Sequence, residues 1–176
     1  MADGVSGNSP VNQSAFATTV QDRIRILERY KRIAMVGLSS NPFRPSHFAA
    51  IYMISEGYDI TPVNPREKEV LGRCSYASVL DVPGPVEIVD IFREPSAVPA
   101  IVEDAIAAGA KVIWMQLGVI NEQAARRARE AGLEVVMDRC VKIEHARFFG
   151  GLSTIGLNTG VISAQKRNHS HDSASK

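Results

Sequence analysis

The chain has 176 residues, of which 45% are hydrophobic and 22% charged, and its formal net charge is +1. This is the composition of an ordinary soluble globular protein, long enough for one domain with a substantial core. The near-neutral balance gives no reason to expect nucleic-acid binding across the surface, and no run of about 18 apolar residues is present to span a membrane.

Residues 1–13 are rich in Gly, Ser and Asn and are expected to form a mobile N-terminal segment. Met1 to Ser14 lacks the basic start and apolar middle of a secretory signal, so a cytoplasmic protein is expected. Cys74 and Cys140 have no metal-like spacing and are expected as free thiols. Helical spacing of Ile24, Leu27 and Tyr30 predicts a helix over 14–30, followed directly by a strand at 32–36. Gly37 turns the chain into a polar loop. Pro45-Ser46 then opens a helix that runs to about Glu56 and closes on Gly57. A second strand over 58–63 stops at Asn64-Pro65. The hydrophilic connection carrying Arg66, Glu67 and Lys68 leads to Val70-Leu71-Gly72, read as a short strand.

Beyond the break at Pro83-Gly84-Pro85, a strand is predicted over 87–91 and a helix over 96–108, closed by Gly109. A strand over 111–115 precedes a helix from the N-cap Asn121 to Ala131. The last strand, 133–137, is followed by a short helical turn over 141–147. Ile155, Leu157, Val161 and Ile162 suggest that a C-terminal extension, 150–165, packs back onto the domain. Residues 166–176 are Ser/His/Asn/Lys-rich and expected to be disordered. Strands alternating with helices of this length argue for an α/β domain over 14–149. Its sheet is doubly wound and mainly parallel, with helices on both faces. The Val/Ile-rich strands lack strict alternation, as strands covered on both sides should.

In such a sheet, ligands sit outside the carboxyl ends of the strands, so the strand ends are where chemistry is to be read. After the first strand a glycine turn meets a helix start, where unpaired N–H groups and the helix dipole favour an anion. Of the three glycines in the dinucleotide fingerprint only Gly37 is present. Ser39, Ser40, Asn41 and Arg44 stand where a glycine-lined turn would be. The second strand ends in Asn64, Pro65 and Arg66, a base where a nicotinamide site often has an acid, which suits a phosphorylated ribose. Phe92, followed by Arg93, ends the third strand and offers a wall for a flat base, while Gln116 and Gly118 end the fourth. Asp138-Arg139-Cys140 ends the last. Arg139 could lower the pKa of Cys140, although a packed, unreactive cysteine is favoured. His47 and His145 read as structural and Trp114 as core. With no paired carboxylates, Ser-His-Asp order or metal cluster, the strand ends describe a binding cleft more than a reaction centre.

Several short motifs then stand in register. They are Gly37-Leu38-Ser39, Arg44-Pro45-Ser46, Pro62-Val63-Asn64-Pro65, Val89-Asp90-Ile91-Phe92-Arg93, Trp114-Met115-Gln116-Leu117-Gly118 and Met137-Asp138-Arg139-Cys140. In this order they resemble the small CoA-binding domain proteins, which are similar to the CoA-binding domain of the succinyl-CoA synthetase alpha subunit standing alone. The resemblance covers about 14–149, and 156–163 looks like a family tail.

The resemblance implies a Rossmann-like fold that binds the nucleotide end of coenzyme A. Gly37, Ser39 and Ser40 would approach the pyrophosphate, helped by Arg44 and the N–H groups at Ser46. Asn64, Pro65 and Arg66 would lie near the adenosine and its phosphate, with Phe92 and Arg93 bordering the adenine. Gln116 and Gly118 would line the path of the pantetheine arm. The synthetase's phosphorylated histidine and second domain have no match here. The expectation is therefore a non-catalytic module for CoA or a short acyl-CoA, with no nucleic-acid or membrane partner. The alternatives are an NADP-binding oxidoreductase or redox sensor, a CoA-binding subunit of an acyl-CoA-handling complex, and an acyl-transferring enzyme acting through Cys140.

Overall fold

The structure is a computed structural model and describes residues 18–150. The expected N-terminal segment 1–13, the extension beyond Gly150 and the tail 166–176 lie outside the described residues. The elements in chain order are α1 (Val20–Arg29), β1 (Arg32–Val36), α2 (Pro45–Ser55), β2 (Asp59–Val63), β3 (Glu69–Val70), β4 (Arg73–Cys74), β5 (Ile88–Ile91), α3 (Val98–Ala107), β6 (Val112–Met115), α4 (Glu122–Glu130), β7 (Glu134–Val136) and α5 (Val141–Phe149). Short 3₁₀ turns at Val79–Asp81 and Pro95–Ala97 fill two connections.

Five strands form one parallel sheet in the order β2-β1-β5-β6-β7, the doubly wound, Rossmann-like arrangement expected. From β1 the chain moves outward to β2, then returns to the other side of β1 as β5. The loops after β1 and β5 therefore diverge and open a crevice at the strands' carboxyl ends. The strand residues alternate between two cores. Ala34, Val89, Ile91, Ile113 and Val135 pack with α3 and α4. Ile33, Met35, Ile88, Val112 and Trp114 pack with α1, α2 and α5. Trp114 is fully buried, as expected; burial of a large apolar side chain contributes about 1.5–3 kcal/mol. Among the described residues no helix is long and apolar enough to cross a membrane.

Four expectations are corrected. Helix α1 starts at Val20, not Ser14, because Thr19 and Asp22 close a reciprocal capping box that ends the extended backbone there. Of Val70-Leu71-Gly72 only Val70 lies in a strand, at the end of β3. Leu71 and Gly72 have φ of 54° and 71°, the paired positive values of a two-residue hairpin turn, and they join β3 to the antiparallel β4. The helix expected from Ser96 begins as a 3₁₀ turn and becomes α-helical at Val98. The short turn expected at 141–147 is the full helix α5. It is tied to α1 by a buried ion network, in which Arg23 Nε lies 2.7 Å from Glu144 Oε2 and Arg147 Nη1 3.1 Å from Glu144 Oε1.

Candidate ligand-binding site

The crevice at the β1/β5 divergence is a polar cleft of about 530 Å³. Its first wall begins where β1 ends. Gly37 donates its N–H to the Val63 carbonyl at 2.8 Å and has φ of 87°. A Cβ there would sit 2.9 Å from both the Phe92 carbonyl oxygen and Arg93 Cδ. Glycine is thus required by the end of β5 passing across the turn, before any ligand is considered.

The loop that follows is braced by its own side chains. The Ser39 N–H donates to Ser46 Oγ at 3.3 Å, the Asn41 N–H to Ser39 Oγ at 3.2 Å, and the Phe43 N–H to Asn41 Oδ1 at 2.9 Å. His47 Nδ1 lies 2.9 Å from the Ser39 carbonyl oxygen. This bracing delivers the chain to α2, whose N-cap, Arg44, makes no side-chain cap bond and whose first helical residue is Pro45. The positive end of α2 therefore faces the cleft, with Arg44, Pro45 and Ser46 in its lining. Asn64, after β2, donates its amide to the Leu38 carbonyl at 2.9 Å and accepts the Arg66 N–H at 3.1 Å. That turn sets Arg66 and Glu67 on the opposite rim. Phe92, Arg93 and Glu94 complete the wall from β5.

A second, apolar pocket of about 480 Å³ adjoins the cleft and shares Pro45, Phe92 and Arg93 with it. Residues of α2, of the segment Gln116 to Val119 after β6, and of the start of α5 from Cys140 line the remainder. Beneath it lies Asp90, wholly buried on β5 in register with Met35 and Trp114. Asp90 Oδ1 accepts from Gln116 Nε2 at 2.6 Å, and Gln116 Oε1 accepts the Val141 N–H at 3.3 Å. This relay ties the middle of the sheet to the first turn of α5. Asp90 Oδ2 has no hydrogen-bond partner. Burial pushes the Asp90 pKa up to about 7, against the Gln116 and Ile91 hydrogen bonds that lower it.

With both compartments described, their ancestry can be tested. A family model described as "CoA binding domain" matches residues 31–146. The chain belongs to the CoA-binding domain family. Membership carries a CoA-related binding role. Within it, the chain is 43% identical over 121 residues to the uncharacterized protein YneT of Bacillus subtilis (strain 168), a match spanning 69% of this chain and 90% of YneT. A hypothetical protein from Pyrococcus horikoshii OT3 is 46% identical with a TM-score of 0.73, covering 75% of this chain and 93% of that one. The dinucleotide-forming acetyl-coenzyme A synthetase 1 of Ca. Korarchaeum cryptofilum shares 25% identity at a TM-score of 0.57. That match spans 65% of this chain and 28% of the synthetase.

In this member of the CoA-binding domain family, eight of the residues singled out in the sequence line the polar cleft: Gly37, Ser39, Arg44, Ser46, Asn64, Arg66, Phe92 and Arg93. Ser40 and Pro65 lie beside it without lining it. The Ser40 N–H and O–H both donate to Glu67 Oε1, at 3.1 and 2.9 Å, so a carboxylate already occupies these anion donors. Gln116 lines the apolar pocket, but its amide is engaged at both ends. Gly118 lines neither compartment, and its N–H donates to Asp138 Oδ1 at 2.8 Å.

Cys140 and Cys74 are free thiols. The suggestion that Arg139 activates Cys140 is corrected: burial pushes the Cys140 thiol pKa up, and Asp90 adds to the rise. The Arg139 guanidinium instead donates to the Asp138 carbonyl at 2.8 Å. Sequence reasoning assigned no site role to Asp90, Glu67 or Phe48. A lone acid inside the apolar run Ile88-Val89-Asp90-Ile91 was the signal for the first. The other two carry none, because only the fold brings them to the site.

Proposed function

We propose that this protein binds coenzyme A, or a short acyl-CoA, by its nucleotide end and performs no chemistry on it. The observation that carries this reading is the junction of the two compartments across Pro45, Phe92 and Arg93. CoA is itself two-part, with an anionic, phosphate-rich nucleotide at one end and an uncharged pantetheine arm at the other. The donors at the α2 N-terminus, with Arg44, Arg66 and Arg93, suit the phosphates. The apolar pocket suits the arm, and it suits a second nucleotide poorly, which disfavours NADP. Phe92, shared by both compartments, is available to border the adenine.

A polyanion entering the cleft competes with Glu67 for the Ser40 donors. Binding then exchanges a carboxylate for a phosphate on the same N–H and O–H groups. The absence of chemistry rests on Cys140, whose raised pKa leaves little thiolate at neutral pH. Among the described residues both histidines are engaged elsewhere: His47 at the Ser39 carbonyl and His145 Nδ1 with the Tyr52 hydroxyl at 3.0 Å.

Isothermal titration of Arg66→Ala with CoA and with dephospho-CoA tests the reading. Removing a charge-assisted contact costs about 1.5–3 kcal/mol, so CoA affinity is expected to fall roughly tenfold to a hundredfold. Dephospho-CoA, which lacks the ribose phosphate, is expected to be little affected. Equal losses for both ligands would move the ribose phosphate to another cation, and tighter binding of NADP than of CoA by the parent protein would replace the proposal.

A further inference from the structure

We propose that residues 151–164 of this same chain dock along the outer face of α2. That helix, Pro-Ser-His-Phe-Ala-Ala-Ile-Tyr-Met-Ile-Ser, is apolar on both sides. Ala49, Ala50 and Met53 face the core, while Phe48 and Ile51 are 55% and 47% exposed. Phe48, Ile51, Tyr52 and Ser55 share one face at helical spacing, and no Asp, Glu, Lys or Arg interrupts it. A surface helix ordinarily carries charged or polar residues there; one that is hydrophobic all round is a helix meant to be covered.

The position and chemistry of the chain's continuation identify the cover. The apolar face passes through a ring cluster to the end of α5: the His145 ring centroid lies 5.6 Å from that of Tyr52 and 4.9 Å from that of Phe149, itself 42% exposed. Gly150 follows, in extended backbone, packed so closely that a Cβ would meet the Ala146 carbonyl oxygen at 2.6 Å. The chain thus leaves the described fold at one end of the uncovered face. Residues 151–164 contain Leu152, Ile155, Leu157, Val161 and Ile162 and no Asp, Glu, Lys, Arg or His; charge resumes at Lys166.

Fourteen residues reach roughly 45 Å when extended, well beyond the about 16 Å length of an eleven-residue helix. A face of that length and about 10 Å width is small against the about 800 Å² that each partner contributes to a standard interface. It suits a single passing segment better than a second copy. Phe48 also lines the apolar pocket, so the docked segment borders the compartment assigned to the arm, but the crosslink readout needs no ligand.

Photocrosslinking of the full-length chain tests it, with p-benzoylphenylalanine placed at position 51, at position 48 in a second protein, and at Glu103 on α3 as a control. Each is irradiated as an equal mixture of ¹⁵N-labelled and unlabelled chains. The expected products from 51 and 48 are peptides joining α2 to 151–164 with a single isotope label on both halves, and none from 103. Crosslinks of mixed label would make a second copy the occupant. Failure of both α2 probes to reach 151–164, or equal capture by the control, would likewise overturn the proposal.

Discussion

The polar cleft and the apolar pocket share one wall but are built differently. The cleft is assembled from residues within about ten positions of the ends of β1, β2 and β5, held by short-range bonds such as Asn41 N–H to Ser39 Oγ and Arg66 N–H to Asn64 Oδ1. The pocket draws on α2, the loop after β6 and the start of α5, and its floor depends on the Asp90–Gln116–Val141 relay, whose members lie 25 and 26 residues apart. Local turn chemistry is enough to make an anion cradle, whereas an apolar pocket requires the layers to pack. The two compartments should therefore respond to different perturbations.

The largest effect is expected at the hinge of the shared wall. Gly37→Val puts a β-branched side chain at φ of 87°, 2.9 Å from the Phe92 carbonyl oxygen. Strain and overpacking together cost about 3 kcal/mol or more, so urea denaturation should show a strongly destabilised or unfolded protein. Full stability with lost CoA binding would instead assign Gly37 to ligand approach alone.

Next comes the floor of the pocket. The folded pKa of Asp90, raised to about 7, lies above the ordinary value near 3.9 of the unfolded chain. The folded state therefore holds a proton that the unfolded state has released. The contribution of Asp90 to stability is therefore greatest below about pH 4, falls as pH rises to about 7 and stays low above it. The span is up to about 4 kcal/mol. Asp90→Asn removes this titration, so at pH 8 it should equal or exceed the parent in stability, and the difference should shift toward the parent as pH falls to 4. Denaturant titrations of both proteins across pH 4–8 measure the difference, and identical pH profiles would show that Asp90 is ionised throughout.

A smaller effect separates the compartments by ligand. Leu117→Asp places a charge in the apolar pocket and should weaken CoA about tenfold, roughly 1.4 kcal/mol, while leaving adenosine 3′,5′-bisphosphate unchanged. Parallel losses for both would mean the pocket does not hold the arm. The smallest effect is expected in the cleft. Glu67→Gln removes the carboxylate that occupies the Ser40 donors and should tighten CoA a few-fold, by about 0.5–1 kcal/mol. Weaker binding would make Glu67 a partner of the ligand rather than its competitor.

The order of the elements, the parallel sheet and most of the cleft were determined by the sequence itself. Hydrophobic period, glycine and proline punctuation, and turn chemistry act over a few residues, and Gly37, Arg44-Pro45-Ser46, Asn64 and Phe92 each carry their signal locally. Tertiary structure decided the rest. Leu71-Gly72 reads as part of a strand until β3 and β4 pair around it. Gly37 reads as a turn at the ligand site, and only the fold adds that Phe92 and Arg93 pass within 2.9 Å of its missing Cβ. Cys140 reads as a packed, unreactive thiol, but the burial and the Asp90 charge that raise its pKa are visible only in the fold. At Gly37 and Cys140 the deciding energy is steric exclusion or desolvation by residues distant in the chain, which act only once the layers have closed; at Leu71-Gly72 it is the pairing of β3 with β4.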